Sequence, residues 1–451
     1  MRTSILAALF GIALLPLSAL ADDLELRLKK LDAEVSRQAE TINTQQKAIE
    51  ELQESLKSGL TAVTAPVEDN SAKTTGFFGG SLMSNPYVSL VLDAKGYVSN
   101  LKNSELNKRG IPGYSTEGRG LRNGFNVDAA ELLIFAPVDP YFNLYTNIPI
   151  NENGAVLEEA YFVTTFLPSG LQVKGGRFKS NASRLNSQHP HAWDFADLPL
   201  PYKAFLGPEA LGGENGVQLT WLPSLPFYTL LGVEVLQGDN PLLFGSDENW
   251  GPHAFSAFAK VSVDTSDDST LFLGPWIMIG STRTGGILPN DATTGNSFDL
   301  RGNSALYGME ALWKWKSGHR KLTLQAEYLY LVQNGTLTEN DPSGAEVASD
   351  HLKRHQDGVY LQALYSFDRW GVGARYDRME IFSDTFQRGD LQQSNSVNPW
   401  RMTGSLEFKP TEFSQIRAQY THDRSARDGR VNNEGILQFT FTIGAHGAHA
   451  F

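Results

Sequence analysis

Two hydrophobic periods divide the chain. From Asp22 to about Lys57, Leu28, Val35, Ile42, Ile49 and Leu56 recur every seven residues at one position, and Leu24, Leu31, Gln38, Gln45 and Leu52 fill a second, with no Gly or Pro between them. Five heptads in register predict an α-helical coiled coil over residues 22–57, in which Gln38 and Gln45 would fix register and strand number at some cost in stability. A single amphipathic helix lying on the rest of its own chain would show the same stripe. Residues 58–76, with Gly59, Pro66, Ser71 and Thr74 to Gly76, read as a linker.

After Gly76 the period falls to two. β-Branched and aromatic residues alternate with polar ones in about sixteen segments, near 87–98, 125–136, 141–149, 156–166, 171–178, 216–222, 226–236, 254–263, 270–280, 305–315, 320–332, 358–367, 370–380, 401–409, 415–423 and 434–444. Their connections alternate as well. Long polar stretches (99–124, 179–215, 237–253, 281–304, 333–357, 381–400) take turns with tight ones such as Pro137 to Pro140, Pro168-Ser169-Gly170, Pro223 to Pro226 and Asp368-Arg369. Short turns on one side, long loops on the other and an even strand count predict an all-β transmembrane antiparallel barrel of about 16 strands over 77–451.

Facing within the strands agrees. In 320–332, Leu322, Leu324, Ala326, Tyr328 and Tyr330 oppose Thr323, Gln325 and Glu327; in 434–444, Leu437, Phe439, Phe441 and Ile443 oppose Gln438, Thr440 and Thr442. One face suits lipid and the other water. Strands near 125–136 and 156–166 alternate less cleanly. Tyr87, Phe142, Trp221, Phe227, Trp313, Trp315 and Trp370 lie near strand ends, where aromatic girdles form.

Composition narrows the classes. Across 451 residues, 38 Lys+Arg face 50 Asp+Glu, a net charge of −12, which lacks the basic footprint of a nucleic-acid binder. Without cysteine there is no disulfide scaffold, thiolate zinc site, iron–sulfur cluster or cysteine nucleophile. Residues 1–21 read as a signal peptide: Arg2, an apolar run from Ile5 to Leu15, and Ala19-Leu20-Ala21 as the cleavage site. No later apolar run is long enough for a membrane-spanning helix. These features predict export to the outer membrane of a Gram-negative bacterium, with the coiled coil in the periplasm.

A sixteen-stranded barrel encloses an aqueous channel, so the longest connection draws attention. The stretch 179–215 is expected to fold inward as a constriction, carrying Lys179, Arg184, His189, His191, Asp194, Asp197, Lys203, Glu209 and Glu214, with Trp193, Phe195 and Phe205 to pin it; a solvated external loop is the alternative. Lys174, Arg177, Arg375 and Arg417 are assigned to the constriction and lumen with these charges. Mixed signs across a pore set up a transverse field, and no ladder of Arg or Lys points to strong anion selectivity. No Ser/His/Asp set or carboxylate pair stands out, so an enzyme is not expected. Histidines pair at His189/His191, His351/His355 and His446/His449, spacings at which two imidazoles can reach one divalent ion such as zinc. His189 and His191 are the candidate metal ligands, and no other cofactor is expected.

The segments Leu157-Glu158-Glu159-Ala160-Tyr161-Phe162 and Gly170 to Phe178 resemble a strand pair of the phosphate-selective porin O and P type of outer-membrane channels. Asn186-Ser187-Gln188-His189-Pro190-His191-Ala192-Trp193-Asp194-Phe195 and the ending Gly-Ala-His-Gly-Ala-His-Ala-Phe are similar to a group called zinc-regulated TonB-dependent outer-membrane receptors. The resemblance implies an outer-membrane location and a tie to zinc limitation. The sequence therefore predicts a porin passing small hydrophilic solutes or ions, with a zinc-linked uptake receptor or channel as the second reading. Its expected partners are outer-membrane lipid, peptidoglycan and two further copies, joined as a homotrimer through coiled coil and barrel walls.

Overall fold

In a computed structural model, the described residues are 86–106, 109–111, 121–208, 210–245, 251–285, 294–393, 398–426 and 428–444. The signal peptide, coiled coil and linker lie outside them. Sixteen long antiparallel strands form the wall: β1 (Tyr87–Ser99), β2 (Gly124–Asp139), β3 (Phe142–Asn151), β4 (Glu159–Thr164), β5 (Leu171–Lys179), β6 (Gly213–Trp221), β7 (Tyr228–Leu236), β8 (Ala254–Ser266), β9 (Ser269–Gly285), β10 (Ser297–Ser317), β11 (Arg320–Asn340), β12 (Glu346–Phe367), β13 (Trp370–Arg388), β14 (Trp400–Thr411), β15 (Ser414–Asp423) and β16 (Asn432–Gly444). Two short pieces, Gly154–Ala155 and Leu391–Gln393, pair back onto β3 and β13. Each strand pairs with the next, and β1 pairs with both β2 and β16, closing the barrel.

The expected alternation holds. In β11, Thr323, Gln325 and Glu327 are buried, while Leu324 is exposed. In β16, Gln438 and Thr440 point in, and Leu437, Phe441 and Ile443 point out. Apolar side chains on an outward face would be costly in water and are at home in hydrocarbon. At the short-turn rim, Trp221, Phe227 and Trp370 face outward and exposed. Tyr87 differs: it shares the phase of buried Ser89 and Val91, so it faces the lumen and stacks on Phe135 at 5.7 Å. Gly170 turns the β4–β5 connection at φ 75°, where a Cβ would meet the Leu222 carbonyl.

Three of the predicted long loops are largely strand. β11 and β12 are joined by residues 341–345 instead of 333–357, and β10 and β13 also extend past the alternating segments. Beyond the apolar band the outward face meets water and turns polar, so the apolar–polar alternation disappears although backbone pairing continues. Phe298, Leu300, Leu337, Leu352 and Phe386 form a small buried cluster within this extension.

Candidate functional site

The β5–β6 connection, residues 180–212, does fold into the barrel. Its Leu198, Leu200, Tyr202, Phe205 and Leu206 are buried against Trp276, Met278, Leu306, Leu329, Leu331, Tyr360 and Met379, inward positions of β9 to β13. The main hydrophobic core of this barrel thus lies in its lumen, between loop and wall. Burying these side chains supplies the drive that keeps the loop inside. A short helix, Leu200–Phe205, carries Tyr202 and Lys203 at its centre.

Polar contacts fix the loop around the wall. Asp197 accepts hydrogen bonds from Arg375 Nη2 at 2.9 Å, Arg401 Nη2 at 2.6 Å, Lys203 Nζ at 2.6 Å and Gln419 Nε2 at 3.0 Å. Burial alone would raise its carboxyl; Arg401, Lys203 and Arg375 instead hold it well below the usual range. The Arg375 guanidinium also stacks over Phe195 at 4.7 Å and donates to the Asp197 carbonyl at 2.8 Å. Across the lumen, the Arg184 amide donates to the Glu310 carboxylate at 3.2 Å, and Tyr202 Oη donates to Glu327 at 2.8 Å. Glu327 also accepts from Tyr360 at 2.9 Å and Trp276 at 3.0 Å. Burial pushes the Tyr202 hydroxyl well up, with the Glu327 charge adding to it, so it stays a donor. Lys95 of β1 donates to the Ala196 carbonyl at 3.0 Å and pairs closely with Asp128.

The histidines tie the loop to β2 and β4. His189 Nε2 lies 2.7 Å from Glu159 Oε2 and 3.8 Å from Glu158, and His191 Nδ1 lies 3.0 Å from Glu131 Oε1. Their rings are near parallel, 5.7 Å apart. Burial would lower the His189 imidazole, yet the hydrogen bond and charge of Glu159, with Glu158 behind, carry it above its ordinary value. Asn147 Nδ2 donates to Glu131 Oε2 at 3.2 Å, and Lys179 Nζ pairs with Glu158 at 2.8 Å. A ligand atom from each of Glu131, His189 and His191 lies within 4.8 Å of the other two.

The structure brings most of the predicted residues together and separates others. Lys179, Arg184, His189, His191, Asp194, Asp197, Lys203 and Arg375 all take part in the loop and its contacts; Asp194 accepts from Gln362 at 2.9 Å. Lys174 faces the lumen over the Tyr161 and Phe178 rings. Arg417 lies in a separate inward pair with Glu407 at 2.7 Å. Arg177 donates to the Leu157 carbonyl at 3.0 Å and joins none of these loop contacts. Glu209 lies outside the described residues, as do His446 and His449. His351 and His355 are on extended β12, where a spacing of four places backbones roughly 13 Å apart, so they do not share one ion.

Glu131 and Arg401 were not singled out by the sequence, Glu159 entered only as part of a strand motif, and Glu327 was read as an inward-facing charge without its partners. A signal for Glu131 exists: it is a lone carboxylate within the apolar run from Ala129 to Phe135, and a charge there needs a partner. Leu306, Leu329 and Leu331 fall in phase with Glu310 and Glu327, which marks where something apolar must meet the inner wall. A further inward row, Tyr87, Phe135, Tyr145 and Tyr161, runs along β1 to β4 with ring centroids 5.7, 4.8 and 5.1 Å apart. On the β1–β3 side, a cavity of about 620 Å³ remains, lined among others by Lys95, Asp128, Glu131, Glu158, Pro190 and Asp197.

Comparisons with known proteins agree with this architecture. Residues 173–430 match the family described as TonB dependent receptor-like, beta-barrel. An uncharacterized protein of Aquifex aeolicus (strain VF5) is 40% identical over 392 residues, covering 81% of this chain and 80% of the relative. Among solved structures, the outer membrane channel DcaP of Acinetobacter baumannii superposes with a TM-score of 0.50 at 13% identity, over 82% of this chain and 100% of that one. An anion-selective porin from Comamonas acidovorans gives 0.47 at 10% identity, over 80% and 100%. The fold is that of outer-membrane β-barrels, shared with the DcaP channel.

Proposed function

Since this chain belongs to the TonB dependent receptor-like β-barrel family, we propose that it is an outer-membrane channel through which small hydrophilic solutes or ions diffuse passively, narrowed by loop 180–212. The observation that carries this reading is the loop itself, tied across the lumen by charges of both signs while a cavity stays beside it. Outer-membrane transporters of 22 strands hold a plugged lumen. The sixteen strands described here enclose a smaller one, in which the chain's own loop takes up space beside a remaining cavity. Opposed charges at a constriction orient dipolar solutes and favour neither sign strongly.

The heptads over 22–57 support self-association through coiled coils in the periplasm that extend toward peptidoglycan, and the sixteen-stranded barrel, with lipid around it, favours three copies over two. Planar-bilayer recording of the purified full chain in KCl tests both parts. Openings in groups of three are expected, and deleting 22–57, which leaves the barrel-wall contacts, should loosen that grouping. A folded barrel that carries no current overturns the channel.

A further inference from the structure

Three clusters stand out beyond the loop clasp: the buried acids Glu310 and Glu327, the inward aromatic row, and the histidines beside Glu131. The last is carried furthest by its geometry. We propose that Glu131, His189 and His191 bind a divalent transition-metal ion of the zinc class at the edge of the lumen cavity, coupling loop 180–212 to β2. The inference deepens the channel reading in its effect on current, while the binding site stands apart from it.

The ligand set fits the ion. Two imidazoles and one carboxylate are borderline donors of the kind zinc, copper and nickel prefer, and three protein ligands leave one position for water or a passing solute. Around a tetrahedral zinc with bonds of ~2.0 Å, neighbouring ligand atoms stand ~3.3 Å apart. The His191 Nδ1 to Glu131 Oε1 separation is already 3.0 Å, so an ion could replace the proton between them with little movement. The complete set lies within 4.8 Å, so its widest pair need close by no more than about 1.5 Å to reach the tetrahedral spacing.

The surroundings are also those of a ligand shell. Glu159 holds one nitrogen of His189 at 2.7 Å, which orients the ring for ligation through the other; such carboxylate–histidine–metal arrangements fix tautomer and direction. Asn147 holds Oε2 of Glu131, aiming Oε1 at His191. All three ligands are buried, and Glu131 and the neighbouring Pro190 line the cavity, which gives an ion a way in. Glu131 stands on β2 and both histidines on the loop, so one ion would lock the loop onto the wall more stiffly than the hydrogen bonds alone.

The test is calorimetric titration of zinc chloride into chelator-stripped, detergent-solubilised full-length protein, with Co²⁺ absorption as a second probe. One zinc per protomer is expected, weakened about 10-fold or more in Glu131→Gln and about 100-fold or more in His189→Ala/His191→Ala, each variant shown folded by heat-modifiable gel mobility. Tetrahedral Co²⁺ bands, lost in the double variant, would support the site. Absence of binding by the folded wild type overturns it. So does binding that survives the double variant, or that is lost only in His446→Ala/His449→Ala. Zinc added to a conducting bilayer is expected to lower current in the wild type and not in the double variant. Binding without any conductance would sink the channel and leave the metal site; conductance without binding would do the reverse.

Discussion

Replacing Asp197 with alanine removes the carboxylate on which four side chains converge. Arg375 and Arg401 are almost wholly buried, and breaking a buried ion pair by removing one partner costs ~3–5 kcal/mol, because the other charge is left behind. Asp377 remains 3.0 Å from Arg375 Nε and 3.5 Å from Arg401 Nε, which places the expected cost at the lower end, about 3 kcal/mol. That corresponds to roughly a 100-fold shift in the equilibrium between docked and released loop. The wall keeps its backbone ladders, so the loss is local. In bilayers, Asp197→Ala should show larger, noisier single-channel current, and limited proteolysis should cut within 180–212 while heat-modifiable mobility stays native. Unchanged current together with an uncut loop would refute the assignment of Asp197 as the clasp.

Other outcomes follow from the same contacts. Tyr202→Phe deletes one donor to Glu327 but leaves those of Tyr360 and Trp276, so the loop should loosen by about 1–2 kcal/mol, read as faster proteolysis of 180–212. Because the Asp197 carboxyl is held below its ordinary value, its contribution is fully present above the unfolded-state pKa of about 4 and is lost only as pH falls through the depressed folded value. With His189 replaced by alanine, so that its own titration against Glu159 does not enter, current should therefore be the same at pH 5 and pH 7, and a loop that opens between those values contradicts the clasp. On the outer face, Leu324→Arg places a charge against lipid and should cost ~2–4 kcal/mol if it lies near the midplane, measured by urea-dependent folding into vesicles. Inside, Gly308→Ala would put a methyl within 1.9 Å of the Trp276 ring, displacing the donor to Glu327 at a cost of ~1–3 kcal/mol.

Much of the barrel could be read directly from the chain, because a strand with lipid on one side and water on the other must alternate. All sixteen segments became strands, and the stretch around 179–215 entered the lumen as expected. The extensions of β10 to β13 were hidden, since a strand whose outward face meets water lacks the outward apolar residues that mark the period, and its few inward ones, such as Leu300 and Leu337, do not stand out in a polar stretch. At the site, His189 and His191 were visible as a pair, but their carboxylate partners were not. Glu131 and Glu159 come from β2 and β4, two strands either side of β3, and only the return of the loop into the lumen brings the histidines to them. Arg401 was missed for the same reason, sitting at the mouth of β14 where a single charge in a sequence looks like any solvated one. The histidine pair on β12 misled because helical spacing was admitted for a segment that is extended.

The contacts of loop 180–212 also act as a gauge of register. A slip of one residue between neighbouring strands exposes every polar side chain to lipid and is rejected at once. A slip of two keeps the lipid face apolar and the inner face polar, so the membrane cannot tell it from the native pairing. It would, however, carry Arg375 about 6.8 Å along the strand, away from an Asp197 that now lies 2.9 Å from it. Glu310 on β10, Glu327 on β11 and Gln362 on β12 meet the loop at Arg184, Tyr202 and Asp194, and Arg375 on β13, Arg401 on β14 and Gln419 on β15 converge on its Asp197. As these strands join the wall in turn, each is checked against a template already laid down in the first half of the chain.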